Sequence, residues 1–234
     1  MDNNQKLRES VCIVDVQTQA ACPHPSEMID LFADYGTVEA DIKGSVSLET
    51  QDGEKLSGYK VYLLRTQLQG VELEGHYPDL GVLVNNTQRW AKVYAGFRAF
   101  ACTNLMINAE TILQTGLNTV EVRTALNACA HLLVEQAGSY QRFLERLQNN
   151  TYNTQEAFNN RKGNIMSKIP MNLFSYIKHA EEQFRDPDSI YFNWENSDWK
   201  ILSAMTDYVK NKAPLSHIDD TLLLQKIFID GEEN

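Results

Sequence analysis

The feature of this sequence that most constrains its fold is a change of hydrophobic period near residue 118. Before that point, apolar residues alternate or form short runs between turn residues, which is typical of β-strands. After it, apolar residues recur every three or four positions, which is typical of amphipathic helices. Because the strands come first and the helices follow, the sequence favours an α+β fold over a doubly wound α/β sheet.

Three segments predict the main sheet of the N-terminal half, at 58–66, 80–86 and 91–100. Turn residues at 78–79 and 85–87 separate the second and third segments from their neighbours along the chain. We expect no crossover helix between consecutive segments, so the prediction is an antiparallel meander.

Shorter elements are predicted before the meander. A β-branched run indicates a strand at 11–16, and Ser26 is a suitable N-cap for a short helix at 26–32. An alternating segment at 46–50 leads into a turn through Asp52-Gly53, which indicates a hairpin.

The C-terminal half begins with a long predicted helix. Asn118 and Glu121 have the spacing of a capping box, and an apolar stripe then continues for about 30 residues, or ~45 Å of helix. Shorter helices are predicted at 172–184, 197–210 and 219–228. We expect the long helix to cover the apolar face of the meander. The sequence thus divides into a β-rich part, 1–117, and a helical part, 118–234, integrated into one domain.

Charge and cysteine usage restrict the class of protein. A net charge of −10, spread along the chain, argues against adhesion to duplex DNA or anionic membranes. No run approaches the ~20 apolar residues of a transmembrane helix, so we expect a cytoplasmic protein with no membrane partner. The cysteines form no C-x-x-C pair, and Cys12, Cys22 and His24 are too few to ligate a structural zinc. No metal and no cofactor are therefore predicted.

One window departs from the general acidity. No acidic residue occurs between Asp79 and Glu110, whereas cations and aromatic residues alternate there. The candidate nucleic-acid-binding residues are Arg89, Trp90, Lys92, Tyr94 and Arg98. In a site for single-stranded nucleic acid, the cations contact phosphates and the rings stack on bases. The alternative is that the aromatic side chains pack in the core of the sheet, beside ordinary surface cations.

A motif of unknown role follows, in which Arg98 precedes Cys102, Thr103 and Asn104 by four to six positions. This motif, together with the segment from Trp199 to Thr206, resembles a phage- and plasmid-associated family of unknown function, number 932 among the domains of unknown function. The resemblance implies a mobile genetic element as the setting and brings no established activity.

The sequence predicts no catalytic residue. It contains no P-loop, no G-x-G-x-x-G, no H-E-x-x-H and no G-x-S-x-G motif. Cys102 would need a neighbouring base or a helix N-terminus to become a nucleophile, and no histidine lies near it in the sequence. We therefore do not expect an enzyme.

The leading functional hypothesis is a phage- or plasmid-encoded accessory protein that binds or anneals single-stranded nucleic acid in recombination or replication. A sheet backed by a long helix is also the general plan of phage single-strand annealing proteins, which is an analogy of fold only. One alternative is an acidic inhibitor that binds a host defence protein. The other is a structural protein that assembles into a homo-oligomer.

Overall fold

The computed structural model describes residues 2–10, 23–42, 45–49, 55–69, 73, 75–99, 105–212 and 214–229. The predicted strand at 11–16 and the motif residues Cys102, Thr103 and Asn104 lie outside these ranges, as do Cys12 and Cys22. None of the helices in the described ranges is both long enough and apolar enough to cross a bilayer.

The structure confirms the predicted α+β class, with strands in the first half and most helices in the second. The strands are β1 (Val38–Ile42), β2 (Ser45–Glu49), β3 (Lys55–Tyr59), β4 (Val61–Gln67), β5 (His76–Asn85), β6 (Trp90–Ala99) and β7 (Leu105–Gly116). The helices are α1 (Asn3–Arg8), α2 (Pro25–Ala33), α3 (Thr119–Asn149), α4 (Gln155–Lys168), α5 (Phe174–Arg185), α6 (Asp198–Asp207) and α7 (Pro214–Ile229). Short 3₁₀ turns at Met171–Leu173 and Tyr208–Asn211 adjoin α5 and α6.

The main sheet has five strands in the order β1-β4-β5-β6-β7. Its last four strands are consecutive in this order, which confirms the antiparallel meander. Strands β4 and β5 pair through Leu63 opposite Leu83 and Leu64 opposite Val82. Strands β2 and β3 form a separate antiparallel pair with Glu49 opposite Lys55, and the turn predicted at Asp52-Gly53 lies outside the described residues.

The chain divides into two compact units. The first comprises Met1–Phe97 with Ile107–Glu135, and the second comprises Arg98–Met106 with Gln136–Asn234. Helix α3, with 31 residues and a length of about 46 Å, contributes to both. Within the first unit, Cys129 Sγ of α3 lies 3.8 Å from the Val93 carbonyl oxygen of β6, so this part of the helix covers the sheet as expected.

The helix starts follow local capping chemistry. Asn118 Oδ1 accepts a hydrogen bond from the Glu121 backbone N–H at 2.8 Å, which confirms the predicted cap of α3. The Glu121 carboxylate accepts a hydrogen bond from Thr115 Oγ1, and this bond lowers the pKa of Glu121.

Helix α2 begins one residue before Ser26, and His24 rather than Ser26 is its N-cap. The expectation for Ser26 was wrong because Pro25 suits the first helical position.

Strand β1 is an edge strand of the main sheet, and the N-terminal segment of the chain makes hydrogen bonds to its carbonyl groups. Asn3 Nδ2 donates to the Ala40 carbonyl oxygen at 2.9 Å, and Asn4 Nδ2 donates to the Val38 carbonyl oxygen at 2.6 Å. Exposed strand edges can pair with another chain, and such contacts reduce the number of groups that the edge offers.

The centre of the sheet is tightly packed around Tyr94. The Tyr94 side chain is fully buried, and its hydroxyl donates to Asp79 Oδ2 at 3.0 Å. Its ring lies against the backbone of Gly81 on the neighbouring strand, where an added Cβ would be 2.3 Å from the ring. A glycine is therefore required opposite this tyrosine.

We expect Gly81→Ala to lower the free energy of unfolding by roughly 1–3 kcal/mol, the usual cost of overpacking a filled core. Gly163 is the matched control, because a Cβ added at this position of α4 meets no atom within 4 Å. Gly163→Ala should raise the free energy of unfolding by up to about 1 kcal/mol through its better helix propensity. Urea denaturation measures both changes, and equal effects of the same sign would contradict this account.

Candidate functional site

Three of the five candidate nucleic-acid-binding residues lie together at the start of β6. Arg89, Trp90 and Lys92 are all half-buried. Lys92 Nζ lies 5.8 Å from the centroid of the Trp90 ring, and Trp90 Nε1 donates to Gln88 Oε1 at 2.9 Å. We call these three residues the hairpin tip, because they follow the turn between β5 and β6. They remain reachable by a ligand.

The other two candidates are not accessible. Tyr94 is fully buried, and Arg98 is only 5% exposed. Strand β6 lies between β5 and β7, and from Val93 onwards its side chains are buried on both faces of the sheet. This corrects the expectation that Tyr94 stacks on bases and that Arg98 contacts phosphates. For Tyr94 the alternative of core packing applies, whereas the burial of Arg98 differs from both expectations.

The described residues offer little chemistry of the nucleophilic or metal-binding kind. The thiol of Cys129 is fully buried, and burial raises its pKa to about 12, so it is not a thiolate at neutral pH. No three His, Cys, Asp or Glu side chains within the described ranges are grouped as metal ligands.

The second unit contains a cavity of about 640 Å³ that the sequence did not predict. It is bounded by α4, α5, the segment 192–196 and the start of α6. Its lining includes the cations Lys162, Arg185 and Lys200, the carboxylates of Glu181 and Glu195, and the rings of Phe158, Phe184, Phe192 and Trp194. We call it the two-lysine cavity, after Lys162 and Lys200.

Both lysine ammonium groups lie over the same two rings at the floor of the cavity. Lys162 Nζ is 5.3 Å from the Phe158 centroid and 5.7 Å from that of Phe184. For Lys200 Nζ the corresponding distances are 5.6 and 5.3 Å. The faces of aromatic rings attract cations, so the two rings help to hold two like charges in one place.

Lys200 carries a buried charge that its surroundings do not neutralise. The residue is only 4% exposed. Its ammonium group donates to the Trp194 carbonyl oxygen at 2.9 Å and to Asn196 Oδ1 at 3.1 Å, and both acceptors are neutral. Burial and the positive charge of Lys162 lower the pKa of Lys200, with no offsetting carboxylate among the described residues.

The carboxylates near Lys162 compensate the site only in part. Glu181 Oε1 lies 3.8 Å from Lys162 Nζ, and Glu181 Oε2 lies 3.6 Å from the Arg185 guanidinium. The single negative charge of Glu181 is thus shared between Lys162 and Arg185. Counting Glu195, the lining holds three positive and two negative side chains, a net charge of +1 in a chain of net −10.

The outer part of the cavity carries aromatic surface. Phe192 is 41% exposed, whereas Phe158 on the floor is 2% exposed. Trp194 is half-buried and packs edge-on against Tyr191, with the ring centroids 5.0 Å apart. The deep part of the cavity therefore combines two lysines with two rings, and its outer part combines Phe192 and Trp194 with the exposed side chain of Arg185.

Sequence reasoning missed this site because it missed α4. Thr154 caps the helix by accepting a hydrogen bond from the Ala157 backbone N–H, and Phe158 and Ile165 point into the core. Lys162 takes the position between them on the same face, at helical spacing. A lysine on the inward face of a helix interrupts the apolar stripe, so the hydrophobic pattern no longer predicts a helix. The same lysine, placed between two buried apolar residues, is the signal that could have revealed the site.

A buried ion pair fixes the elements that carry the two lysines. Arg161 donates to both oxygens of Asp198, with Nε–Oδ1 at 2.8 Å and Nη2–Oδ2 at 2.7 Å. Tyr152 and Asn150 also donate to this carboxylate, at 2.9 and 3.3 Å. Burial and the Asp198 charge raise the pKa of Tyr152 to about 12, so its hydroxyl stays a donor. We call this group the Asp198 clamp; its members adjoin Lys162 on α4 and lie two residues before Lys200 on α6.

The comparisons with known proteins add no relative. No family model, no curated protein and no solved structure matches the chain. The resemblance carried by Arg98, Cys102, Thr103, Asn104 and the segment from Trp199 to Thr206 therefore stays a prediction.

We expect Asp198→Ala to lower the free energy of unfolding by about 3–5 kcal/mol, since it leaves the mostly buried Arg161 charge uncompensated. Asp34→Ala is the control: its 2.7 Å pair with Arg123 is as short, but both side chains are more than half exposed. Such a pair contributes about 0–1 kcal/mol. Urea denaturation compares the two variants, and losses of equal size would show that Asp198 has no special structural role.

Proposed function

We propose that the protein binds single-stranded nucleic acid as an accessory protein of a phage or plasmid, and that the two-lysine cavity takes one nucleotide of the strand. The observation that supports this most is the buried Lys200 ammonium group, which neighbours a second cation and whose hydrogen-bond acceptors are neutral. The mobile-element setting rests on the sequence resemblance alone.

A phosphate group suits the floor of the cavity for electrostatic reasons. Opposite charges attract more strongly where water is largely excluded, as it is around Lys200. An anion between Lys162 and Lys200 would also offset the repulsion between the two ammonium groups. Ligand binding would then supply the negative charge that Glu181, shared with Arg185, provides only in part.

A nucleobase suits the rim. Phe192 and Trp194 offer partly exposed rings, and stacking of a base on an aromatic side chain contributes about 1–3 kcal/mol. The cavity volume of about 640 Å³ lies within the roughly 300–1,000 Å³ of small-molecule sites. Stacking tolerates any base, so we expect little sequence preference.

The hairpin tip is a second candidate contact for the strand. Arg89 and Lys92 supply cations and Trp90 supplies a ring, which is the same combination as in the cavity. The tip belongs to the first unit and the cavity to the second, so each is tested by its own variants.

The two alternative functions have weaker support. Assembly through the free edge of β1 is disfavoured, because Asn3 and Asn4 occupy carbonyl groups of that edge. An inhibitor of a host defence protein is motivated by the net charge of −10. No described surface feature adds to that motivation.

We expect Lys162→Gln to weaken binding of a fluorescein-labelled single-stranded oligonucleotide by about tenfold or more, the effect of losing one charge-assisted contact. Lys178→Gln is the matched control: it removes the same charge from α5, where Lys178 is 73% exposed and does not line the cavity. Lys92→Gln tests the hairpin tip in the same assay. Fluorescence anisotropy at several salt concentrations measures all three.

Affinity of the unmodified protein should fall steeply as salt is raised, because phosphate contacts release counterions. Absence of binding at low salt would rule out the proposed function. Equal weakening by Lys162→Gln and Lys178→Gln would leave only a general charge effect and would exclude the cavity as the site.

A further inference from the structure

We infer that the two-lysine cavity binds a terminal phosphate group, that is, a phosphomonoester at the end of a strand, in preference to an internal phosphodiester. This inference rests on the proposed function and names the chemical group that the same cavity recognises. It is carried by the two ammonium groups of Lys162 and Lys200, which lie deep in the cavity over one pair of rings.

Two of the three lining cations, Lys162 and Lys200, lie deep in the cavity, whereas the free aromatic surface lies at its mouth beside Arg185, whose side chain is 78% exposed. Lys200 and Phe158 are 4% and 2% exposed, whereas Phe192 is 41% exposed. A nucleotide can meet both features only if its phosphate enters first and its base stays at the rim. The phosphate is then the deepest part of the bound ligand.

An internal phosphodiester does not fit this arrangement. It is joined to a nucleotide on each side, so both neighbours would have to enter the cavity for the phosphate to reach Lys200. A terminal phosphate has a nucleotide on one side only, and the chain can leave through the mouth.

The charge of the floor also matches a monoester better than a diester. A phosphomonoester carries about −1.5 to −2 charges near neutral pH, because its second pKa is about 6, whereas a diester carries one. The floor presents two ammonium groups over one pair of rings, and Glu181 offsets them only in part. A doubly charged anion can neutralise Lys162 and Lys200 together.

The two lysines have different parts in this arrangement. Lys200 already donates to the carbonyl oxygens of Phe192 and Trp194 and to Asn196 Oδ1, so its three N–H donors are in use and it acts through its positive charge. Lys162 lies over the Phe158 and Phe184 rings and 3.8 Å from Glu181 Oε1, and it can turn its donors to a phosphate. The carboxylates of Glu181 and Glu195 also line the cavity, and they would repel a phosphate that lay closer to them than to the two lysines.

The test uses the full chain and three oligonucleotides of one sequence with an internal fluorescent label. One carries a 5′-phosphate, one a 3′-phosphate, and one has hydroxyl groups at both ends. We expect at least one phosphorylated strand to bind about tenfold more tightly than the hydroxyl strand, the effect of an added charge-assisted contact.

In a second experiment, deoxyadenosine monophosphate and deoxyadenosine serve as unlabelled competitors. Displacement by the monophosphate alone would show that the phosphomonoester is recognised without a strand.

Variants separate the cavity from general charge effects. Lys162→Gln should abolish the preference for the phosphorylated strand, whereas Lys162→Arg, which keeps the charge, and the control Lys178→Gln should retain it. Phe192→Ala removes an exposed ring, so it should weaken all three strands by a similar factor and leave the preference intact. Circular dichroism confirms that each variant is folded.

Three results would overturn the inference, and each has a different consequence for the proposed function. Equal affinity for all three strands, with a loss on Lys162→Gln, excludes end recognition but retains single-strand binding at the cavity. Failure of every strand to bind at low salt excludes the proposed function too. A preference for phosphorylated ends that survives Lys162→Gln places end recognition elsewhere and also overturns the inference.

Discussion

The candidate site depends on one buried ion pair, between Arg161 and Asp198. Removing two charges from water costs energy, and such pairs often add little net stability compared with apolar residues. What this pair provides is position. Tyr152 and Asn150 complete the coordination of the Asp198 carboxylate, so α4 and the start of α6 are held together by directional bonds. This clamp adds to the ring contacts and hydrogen bonds that Lys162 and Lys200 make themselves.

The two-lysine cavity shows how a strongly acidic protein can present a local cationic site. Net charge describes the field at long range, and screening limits that field to a distance of about 8–10 Å at moderate salt. Within the cavity the relevant charges are those of the floor, where two ammonium groups share the faces of Phe158 and Phe184. An overall charge of −10 is therefore compatible with an anionic ligand, although it will slow the approach of that ligand.

The sequence predicted those parts of the fold in which a single periodicity dominates. The meander and α3 have clear patterns of two and of three to four residues, and both are present. Helix α4 was missed because its inward face carries Lys162 between Phe158 and Ile165, so the pattern looks polar. Tyr94 was misjudged for a related reason: alternation in a strand does not show whether one face or both are covered, and β6 lies between two other strands. The site could not be predicted, because Lys162 and Lys200 are brought together only by the packing of α4 against α6.

Helix α3 has a consequence for any attempt to divide this protein. It runs without interruption from Thr119 to Asn149, whereas the boundary between the compact units falls inside it, after Glu135. Two further boundaries lie between Phe97 and Arg98, inside β6, and between Met106 and Ile107, inside β7. A fragment that contained only one unit would have to end in the middle of a helix and of a strand, with backbone groups left unpaired. A deletion or exchange of one unit alone would therefore interrupt a helix and two strands that both units share.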